Sequence, residues 1–365
     1  MPEVSFIIPA YNAACFIADA IRAVIAQTLT DWELIIVDDN SQDNTLEIAR
    51  KFADADPRIR VFHRSVGSGG ACIPRYDALR HARSPLILPL DADDVILPDY
   101  AATLMTILKE RCKGTKSSVY PHSVAADNIN SESGTQADPY TAIIYPAEYL
   151  WTPPFESSRA FRPDYFDPRS EIICHPGSQA VILTLDGWKV PAAGGLIPRR
   201  IYLEAYHRYG IDHENFIYAD EILTRYLMCE AEEVIFSDKA IYYCRTHPAS
   251  ITTLPTLRRL DILKASAQLI DFAEKRFGRD SEEFHLAHRQ LFNWIFQMLE
   301  LLSHPAFSRA DRRKGYRIIG TYRRQVNIPL IRRITSRKFM AAFPLPLPII
   351  RRLMQLRRRL KPTDK

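Results

Sequence analysis

Residues 33–41 of the chain read ELIIVDDNS, a short apolar run that ends abruptly in acids and an amide. The run from Glu33 to Val37 has the length and continuity of a central parallel strand that is buried on both faces. The residues after it, Asp38 to Ser41, favour turns because their side chains bond to nearby backbone groups. The stretch therefore predicts a buried strand that delivers polar side chains at its carboxyl end.

The same pattern recurs on both sides of this stretch. Strands are predicted at 4–8, 33–37, 59–63 and 86–90, and amphipathic helices at 13–27, 45–52 and 71–83. Asn12 is expected to cap the first helix, because a short polar side chain can accept a hydrogen bond from the helix N-terminus. Alternating strands and helices with short connections predict an α/β fold built on an open, mostly parallel sheet.

Three polar clusters follow predicted strands: residues 9–12 (PAYN), 38–41 (DDNS) and 91–94 (DADD). Ligands of open parallel sheets bind beyond the carboxyl ends of the strands. The three clusters share that edge, so a binding site is predicted there.

The later part of the chain is less regular at first and then becomes helical. Residues 121–190 are rich in proline and aromatic residues and are predicted to form loops and short strands. Helices are predicted at 199–208, 220–232, 256–277, 281–302 and 309–324, with a strand at 240–244.

The 365 residues are 47% hydrophobic, which excludes a disordered, collagenous or coiled-coil chain. Six cysteines with no CxxC pair predict reduced thiols rather than a disulfide framework or a zinc site. The N-terminus does not resemble a signal peptide, and no apolar run has the length of a membrane span. These features favour a cytoplasmic protein.

The charge distribution is strongly asymmetric. Residues 309–365 hold 18 Lys and Arg against 2 Asp and Glu, although the net charge of the whole chain is only +5. Within this region, arginine pairs alternate with apolar residues at 332–334 and 349–360, which suits a helix lying on an anionic membrane surface. A solvated face followed by a disordered end is the alternative. Nucleic acid is not an expected partner, because the rest of the chain is acidic.

The cluster Asp91-Ala92-Asp93-Asp94 is the strongest local signal for chemistry. Closely spaced carboxylates repel, so either a cation joins them or one of them retains its proton. Oxygen ligands at alternate positions suit Mg²⁺ or Mn²⁺, which are usually shared with substrate phosphates. An ordinary acidic turn is the alternative for this cluster.

Segments 4–12, 33–45 and 91–94, in this order and spacing, resemble the inverting family 2 glycosyltransferases of GT-A fold. The resemblance covers residues 4–98 and resumes at 216–252, where YYCRTHPASIT (242–252) is similar to the closing segment of the family. It implies an α/β, Rossmann-like nucleotide-diphospho-sugar transferase fold with a helical, basic C-terminal extension.

The expected domains are a GT-A catalytic domain (1–254), a helical extension (255–330) and a basic amphipathic tail (331–365). Within the catalytic domain, residues 1–98 form the nucleotide-sugar half and 99–254 the acceptor half.

The resemblance implies a nucleotide-sugar donor, most often a uridine diphosphate sugar. Pro9, Tyr11 and Asp39 match positions that hold the base and ribose. Gly70 lies in the segment that matches a glycine-rich turn, and Arg75 matches an arginine that faces the nucleotide or its diphosphate.

Asp91 and Asp93 match the DxD acids of the family. Asp93 is the first choice for direct contact with Mn²⁺ or Mg²⁺, and Asp91 for support of the sugar or ribose. His247 matches a histidine that can approach the metal or diphosphate, although a structural role is as plausible for a lone histidine. The sequence departs from the family at Tyr76, which stands where an asparagine is expected.

Inverting transfer needs a carboxylate that takes the proton of the acceptor hydroxyl. Relatives place this base in a Glu-Asp pair, and this chain has Asp220-Glu221 with the two acids exchanged. Alignment favours Glu221, which is the expected base, whereas residue type favours Asp220, the second candidate. Acids that merely stabilise a helix N-terminus are the structural alternative.

The implied acceptor is a glycan or lipid-linked oligosaccharide of cell-surface or exopolysaccharide biosynthesis, reached from the inner face of the membrane. Two other functions compete with this one. A sugar nucleotidyltransferase would use similar groups but release pyrophosphate, and a degenerate module would bind nucleotide sugar without a working base.

Overall fold

The computed structural model describes residues 1–114, 140–151, 159–161, 171–186, 194–210, 217–245, 247, 254–327 and 329–330. The chain divides into two compact units. The first comprises the described parts of Met1–Gln179, Pro191–His213 and Tyr226–Arg245. The second comprises the described parts of Ala180–Val190, Glu214–Arg225 and Thr246–Lys365.

The elements are numbered in chain order. The strands are β1 (Val4–Ala10), β2 (Trp32–Asp38), β3 (Ile59–His63), β4 (Leu86–Pro89), β5 (Val95–Ile96), β6 (Ala142–Trp151), β7 (Arg159–Phe161), β8 (Ile172–Cys174), β9 (Ile197–Pro198) and β10 (Glu233–Arg245). The helices are α1 (Ile17–Ile25), α2 (Thr45–Ala55), α3 (Cys72–His81), α4 (Tyr100–Gly114), α5 (Gln179–Leu185), α6 (Arg199–Tyr209), α7 (Ala219–Glu230), α8 (Asp261–Phe277), α9 (Glu282–Leu301) and α10 (Arg309–Arg323).

The principal sheet of the first unit has the strand order β3-β2-β1-β4-β9. Strands β1 to β4 pair in parallel and β9 pairs antiparallel with β4, so the predicted mostly parallel sheet is confirmed. Every residue of β1 and β2 is buried, as their continuous apolar sequences require. The parallel register brings the carboxyl ends of β1, β2 and β4 to one edge, where the polar clusters follow.

The second sheet of this unit has the order β5-β10-β6-β7, with β8 also paired to β10. The sequence analysis expected loops and short strands in 121–190 and a strand at 240–244, so it missed the length of β6 and β10. The β10–β6 register shifts between Ser237 and Ile241, where Asp238 and Lys239 interrupt the apolar residues. An irregularity of this kind breaks the period of two on which strand prediction depends.

Asn12 does not cap the first helix, so this prediction was wrong. Helix α1 begins at Ile17, and Asn12 has a positive φ of 49°. The Asn12 Oδ1 accepts the backbone N–H of Gln42 at 2.8 Å, while the Asn12 N–H donates to Ser41 Oγ at 2.9 Å. The polar side chain thus ties the loop after β1 to the loop after β2.

The described C-terminal part of the second unit is helical, as predicted. Helix α9 is capped by the Ser281 side chain, and α10 begins with a capping box in which Ser308 and Asp311 bond reciprocally. No helix in the described part of the chain is both long and apolar enough to cross a membrane.

His288, on α9, is only 4% exposed, and its burial predicts that the stability of the fold depends on pH. Burial lowers the pKa of His288 from 6.5 to about 4, with a further contribution from His285. The neutral Nδ1 of His288 accepts the Asn327 N–H at 3.4 Å. The unfolded chain takes up a proton near pH 6.5 and the folded chain only near pH 4, so acid favours unfolding between these values. We expect the free energy of unfolding to fall by about 3 kcal/mol across that interval.

Denaturant titrations of the wild type and His288→Gln at several pH values measure this effect. Glutamine retains an acceptor but does not titrate there, so the variant should lose most of this pH dependence. His304→Gln, at an exposed position of the same unit, is the control and should retain it. Equal pH dependence in wild type and His288→Gln would contradict the prediction.

Candidate active site

The acids that follow β2 hold neighbouring loops in place. Asp38 is buried and accepts the Ser41 N–H at 3.2 Å. Asp39, 3% exposed, accepts the Ser68 N–H at 2.9 Å and the Ser68 O–H at 2.8 Å. The Arg64 guanidinium lies 3.0 Å from the same carboxylate. Asp39 therefore fixes the loop that carries Ser68 at the edge of the sheet, and its proposed contact with base or ribose stays a prediction.

The other predicted nucleotide-binding residues lie along the same loops. Pro9 is buried within β1 opposite Val37, whereas Tyr11 directly after this strand is 56% exposed. The carbonyl of Gly70 accepts the Ser68 hydroxyl at 2.8 Å, so the glycine-rich turn is bonded to the residue that Asp39 holds. Tyr11 presents an exposed ring beside a well-bonded loop.

Arg75 forms a buried ion pair with the acidic cluster. Its side chain is 1% exposed, and Nη2 donates to Asp91 Oδ1 at 2.8 Å. The Asp91 side chain remains 31% exposed. Arg75 therefore fixes one oxygen of Asp91, while part of the Asp91 side chain remains exposed to solvent.

Arg64 was missed by the sequence analysis, although it joins two acids. Besides its contact with Asp39, its guanidinium donates to Asp77 on α3. Asp77 lies next to Tyr76, where the sequence departs from the family. The only available signal was an arginine directly after β3, a position that by itself indicates no role.

The electrostatics of the acidic loop fit the expectation from its sequence. Burial raises the pKa of Asp91, Arg75 opposes this rise and Asp93 adds to it. Burial and the charges of Asp93 and Asp91 raise the pKa of Asp94 well above its usual range. A bound cation would relieve this mutual repulsion, so the carboxylates of the loop fit a divalent metal. Within the described residues, however, no group of three or more acid, histidine or cysteine side chains is arranged as a complete metal site.

Tyr242, on β10, clamps the acidic loop. Its hydroxyl accepts the Asp91 N–H at 3.0 Å and donates to Asp94 Oδ2 at 2.8 Å. The Asp94 carboxylate also accepts the Arg245 N–H at 2.8 Å. Asp94, 7% exposed, thus has a partner on each oxygen and serves to hold the loop.

Arg245 extends the clamp to the first helix. Its Nε donates to the carbonyl of Asp93 at 2.9 Å, and its Nη2 pairs with Asp19 of α1 at 2.9 Å. Both Tyr242 and Arg245 lie in the closing segment of the sequence, YYCRTHPASIT, but the sequence gave no sign that they contact the acidic loop. Those contacts join residues about 150 positions apart, as the separation of 151 between Arg245 and Asp94 shows.

The Gly194-Gly195 pair packs against tyrosine rings. Both glycines have positive φ, 84° and 92°. A Cβ on Gly194 would lie 2.8 Å from the Tyr242 ring, and one on Gly195 would lie 2.9 Å from the Tyr145 ring. The Gly195 N–H donates to the Tyr100 hydroxyl at 3.0 Å. The lack of side chains here is required by the packing around the clamp.

The two acids considered as the base begin α7, in the second unit. Asp220 and Glu221 are both half-buried. The Glu221 carboxylate lies 3.0 Å from Nη1 of Arg225, whose side chain is only 1% exposed. Arg225 also donates to Thr184 of α5, through Nε to Oγ1 at 3.2 Å and through Nη2 to the carbonyl at 3.1 Å. A buried arginine therefore fixes Glu221, a contact that the sequence did not predict.

Other predicted residues are less defined by the structure. His247 belongs to the second unit and is half-buried. The basic tail, 331–365, lies outside the described residues.

An open, mostly parallel α/β sheet with polar loops at the carboxyl ends of its strands is the arrangement in which such proteins bind their ligands. Residues 5–167 match the family model of glycosyl transferase family 2. This match, over a little under half of the chain, agrees with the resemblance of the motifs to family 2 glycosyltransferases, and the mostly parallel α/β sheet agrees with a GT-A fold.

Named relatives agree with this family. The chain is 37% identical over 110 residues to the putative teichuronic acid biosynthesis glycosyltransferase TuaG of Bacillus subtilis, covering 30% of this chain and 43% of TuaG. It is 36% identical over 108 residues to the uncharacterized glycosyltransferase YibD of Escherichia coli, covering 30% and 31% of the two chains. The matched segments thus span less than half of either relative.

The fold resembles a solved structure over nearly the whole chain. S. aureus TarS 1–349, in complex with UDP-GlcNAc, superposes with a TM-score of 0.67 and 15% identity. The match covers 98% of this chain and 92% of that one. At 15% identity, the superposition shows that the two chains share a fold and shows nothing about function.

The clamp generates a prediction for Tyr242→Phe. The variant retains the buried ring but leaves the Asp91 N–H and Asp94 without the hydroxyl partner. We expect the free energy of unfolding to fall by about 2 kcal/mol, because unpaired buried polar groups are costly. Urea titration measures this loss.

Tyr145→Phe is the matched control. Tyr145 is 1% exposed, and its hydroxyl has no hydrogen-bond partner within the described structure. Removing that hydroxyl should leave stability unchanged or raise it. Equal destabilisation by both substitutions would show that the Tyr242 hydrogen bonds do not stabilise the fold.

Proposed function

We propose that this protein is an inverting glycosyltransferase that transfers a sugar from a nucleotide sugar, with UDP as the favoured nucleotide. The observation that carries the proposal is the acidic loop 91–94, held at the carboxyl edge of a parallel sheet by Arg75 on one side and Tyr242 on the other. The family 2 domain supports a transferase activity. TarS, whose fold this chain shares, has been solved in complex with UDP-GlcNAc and with UDP, which supports a uridine nucleotide.

The proposed donor site combines exposed and fixed groups. Tyr11 offers an exposed ring for the base. Pro9 and Asp39 stand at positions that match the base- and ribose-binding residues of the family. Gly70 lets backbone approach the nucleotide, and Arg75 supplies positive charge next to Asp91. These roles are proposals that follow from the resemblance and from the placement of the loops.

Asp93 and the solvent-facing part of Asp91 would hold a divalent cation, Mn²⁺ or Mg²⁺, with His247 as a further candidate ligand. When bound, the cation would act as a Lewis acid that stabilises the negative charge of the departing diphosphate. Arg75 holds Asp91 by one oxygen, so the carboxylate keeps one orientation towards the donor.

The base must accept the proton of the acceptor hydroxyl as that oxygen attacks the anomeric carbon. Protonation of Glu221 would weaken its ion pair with Arg225, which is 1% exposed and depends on that carboxylate. This argues for Asp220 as the base and for Glu221 as the residue that fixes the helix start. Glu221 remains the alternative base, as the alignment indicates.

The proposed acceptor is a glycan or lipid-linked oligosaccharide of cell-surface or exopolysaccharide biosynthesis. The relatives support this class, because TuaG is named for teichuronic acid biosynthesis. We also propose that the enzyme is cytoplasmic and peripheral on the inner face of the membrane, held there by the basic tail 331–365. A sugar nucleotidyltransferase would instead release pyrophosphate, and a degenerate module would bind the donor without turnover.

Calorimetric titration with UDP, in the presence and absence of Mn²⁺, tests the donor site. Wild-type protein should bind UDP much more tightly with Mn²⁺, and Asp93→Asn should lose at least tenfold of that metal-dependent affinity. Asp99→Asn, an exposed acid a few residues further on, is the control and should bind as wild type does. Metal-independent binding, unchanged in Asp93→Asn, would contradict the assignment of Asp93.

Separate amide variants distinguish the two candidate bases. Asp220→Asn should lower kcat by about 10²- to 10⁴-fold, the range of general-base catalysis, with UDP affinity retained. Glu221→Gln should have a smaller effect on kcat but a clear loss of thermal stability, because Arg225 loses a charged partner. Release of UDP from a panel of UDP sugars provides the rate measurement. A larger kcat loss for Glu221→Gln would reverse the assignment, and an unchanged rate in both would remove the base from this segment.

A further inference from the structure

Helix α10 carries an unusual density of positive charge. Residues 309–324 include seven basic residues and one acid: Arg309, Arg312, Arg313, Lys314, Arg317, Arg323, Arg324 and Asp311. The single acid, Asp311, is already committed to the capping box with Ser308, which lowers its pKa through hydrogen bonds to the Ser308 side chain and backbone. The acid therefore stabilises the helix start instead of neutralising a neighbouring arginine.

One face of α10 packs within the second unit. Gly315 and Ile319 are buried, and a Cβ on Gly315 would lie 2.6 Å from the Leu302 side chain. Arg312 belongs to this side, because its guanidinium donates to the carbonyls of Leu302 and His304, each at 3.1 Å. This arginine has a structural role.

The other face presents a row of arginines to solvent. Arg309, Arg313, Arg317 and Arg324 are all exposed. At about 100° per residue these four fall within roughly a quarter of a turn, opposite Gly315 and Ile319. Within the described structure none of the four guanidinium groups makes a hydrogen bond or an ion pair. We refer to these four residues as the arginine row.

Packing gives no reason for this arrangement. Like charges three or four residues apart on a helix repel, so Arg309, Arg313 and Arg317 destabilise the isolated helix. The row extends over about 22 Å and is nearly straight, which suits a flat or extended anionic partner. The chain then continues into the basic and apolar segment 331–365, whose sequence suits a membrane surface.

We propose that the arginine row binds the anionic phospholipid surface of a membrane. The row would form a preformed electrostatic contact, and the tail would add apolar anchoring beyond it. This inference rests on the membrane association included in the proposed function, but not on the sugar-transfer chemistry. It assigns part of the membrane contact to a folded helix, where the sequence pointed to the tail.

Co-sedimentation of the full chain with phosphatidylglycerol vesicles and with neutral phosphatidylcholine vesicles tests the proposal. Each basic residue near an anionic surface strengthens binding several-fold, so loss of three should be large. The triple variant Arg309→Glu, Arg313→Glu, Arg317→Glu should bind phosphatidylglycerol vesicles at least tenfold more weakly than wild type. The control replaces Arg50, Lys51 and Arg80, three exposed cations of the first unit, with glutamate and matches the charge change. Control and wild type should bind the vesicles within about threefold of each other.

Three results would overturn the proposal. The first is wild-type vesicle binding by the α10 variant, which would assign all membrane contact to the tail. The second is an equal loss in the control, which would reduce the effect to net charge. The third comes from binding of soluble polyphosphate to the same proteins. If the α10 variant loses polyphosphate binding but binds vesicles as wild type does, the row is a site for a soluble polyanion.

Two further measurements separate this inference from the other claims. Circular dichroism and UDP titration on every variant check that the fold and donor site are intact. Absence of UDP binding throughout would refute the proposed donor site, while the vesicle data would still decide the role of the arginine row. A variant truncated before Phe339 should retain weak binding to anionic vesicles that is lost on reversal of the row.

Discussion

The geometry of the candidate active site depends on two hydrogen bonds made by the Tyr242 hydroxyl. It accepts a backbone N–H from Asp91 and donates to the carboxylate of Asp94, so it joins the end of β10 to the loop after β4. Three acids within four residues would otherwise repel and open the loop. Because Asp94 is buried with both oxygens bonded, the loop keeps one shape.

Arginines perform the corresponding task for the other carboxylates. Arg75 holds Asp91, Arg64 holds Asp39, and Arg225 holds Glu221 in the second unit. Arg75 and Arg225 are almost fully buried, and burial lowers the pKa of the Arg225 guanidinium, an effect that Glu221 opposes. Such pairs add little stability, because desolvation offsets the attraction, but they fix the orientation of each acid. Orientation is what binding and proton transfer require.

Arginines of the helical unit divide into two groups by the same reasoning. Arg312 satisfies two carbonyl groups at the end of α9 and the turn that follows, so it contributes to packing. The arginine row has no comparable partner in the described structure, and its mutual repulsion opposes helix formation. The same residue type therefore stabilises the fold at Arg312 and is exposed to solvent at Arg313, one residue further on.

Much of the fold could be read from local sequence. Strands β1 to β4 were placed to within about two residues, and in β1, β2 and β4 burial on both faces leaves a mainly apolar run that is easily recognised. The strands of the second sheet were mostly missed, since the irregularity between Ser237 and Ile241 breaks the alternation along β10. Asn12 was misassigned because its side chain bonds to the distant Gln42, which no local rule identifies.

The sequence by itself determined the class of the protein and the edge of the sheet where the acids meet, because strand order and polar strand ends are local properties of the chain. Only the tertiary structure decided which of those acids hold the loops and which face solvent. Nothing in the local sequence shows how Asp94 or Glu221 is held, because their partners, Tyr242 and Arg225, are fixed by packing. Tyr242 lies 148 positions from Asp94, and Arg225 is itself held by Thr184, 41 positions away, so burial and pairing of these acids depend on contacts that only the folded chain brings together.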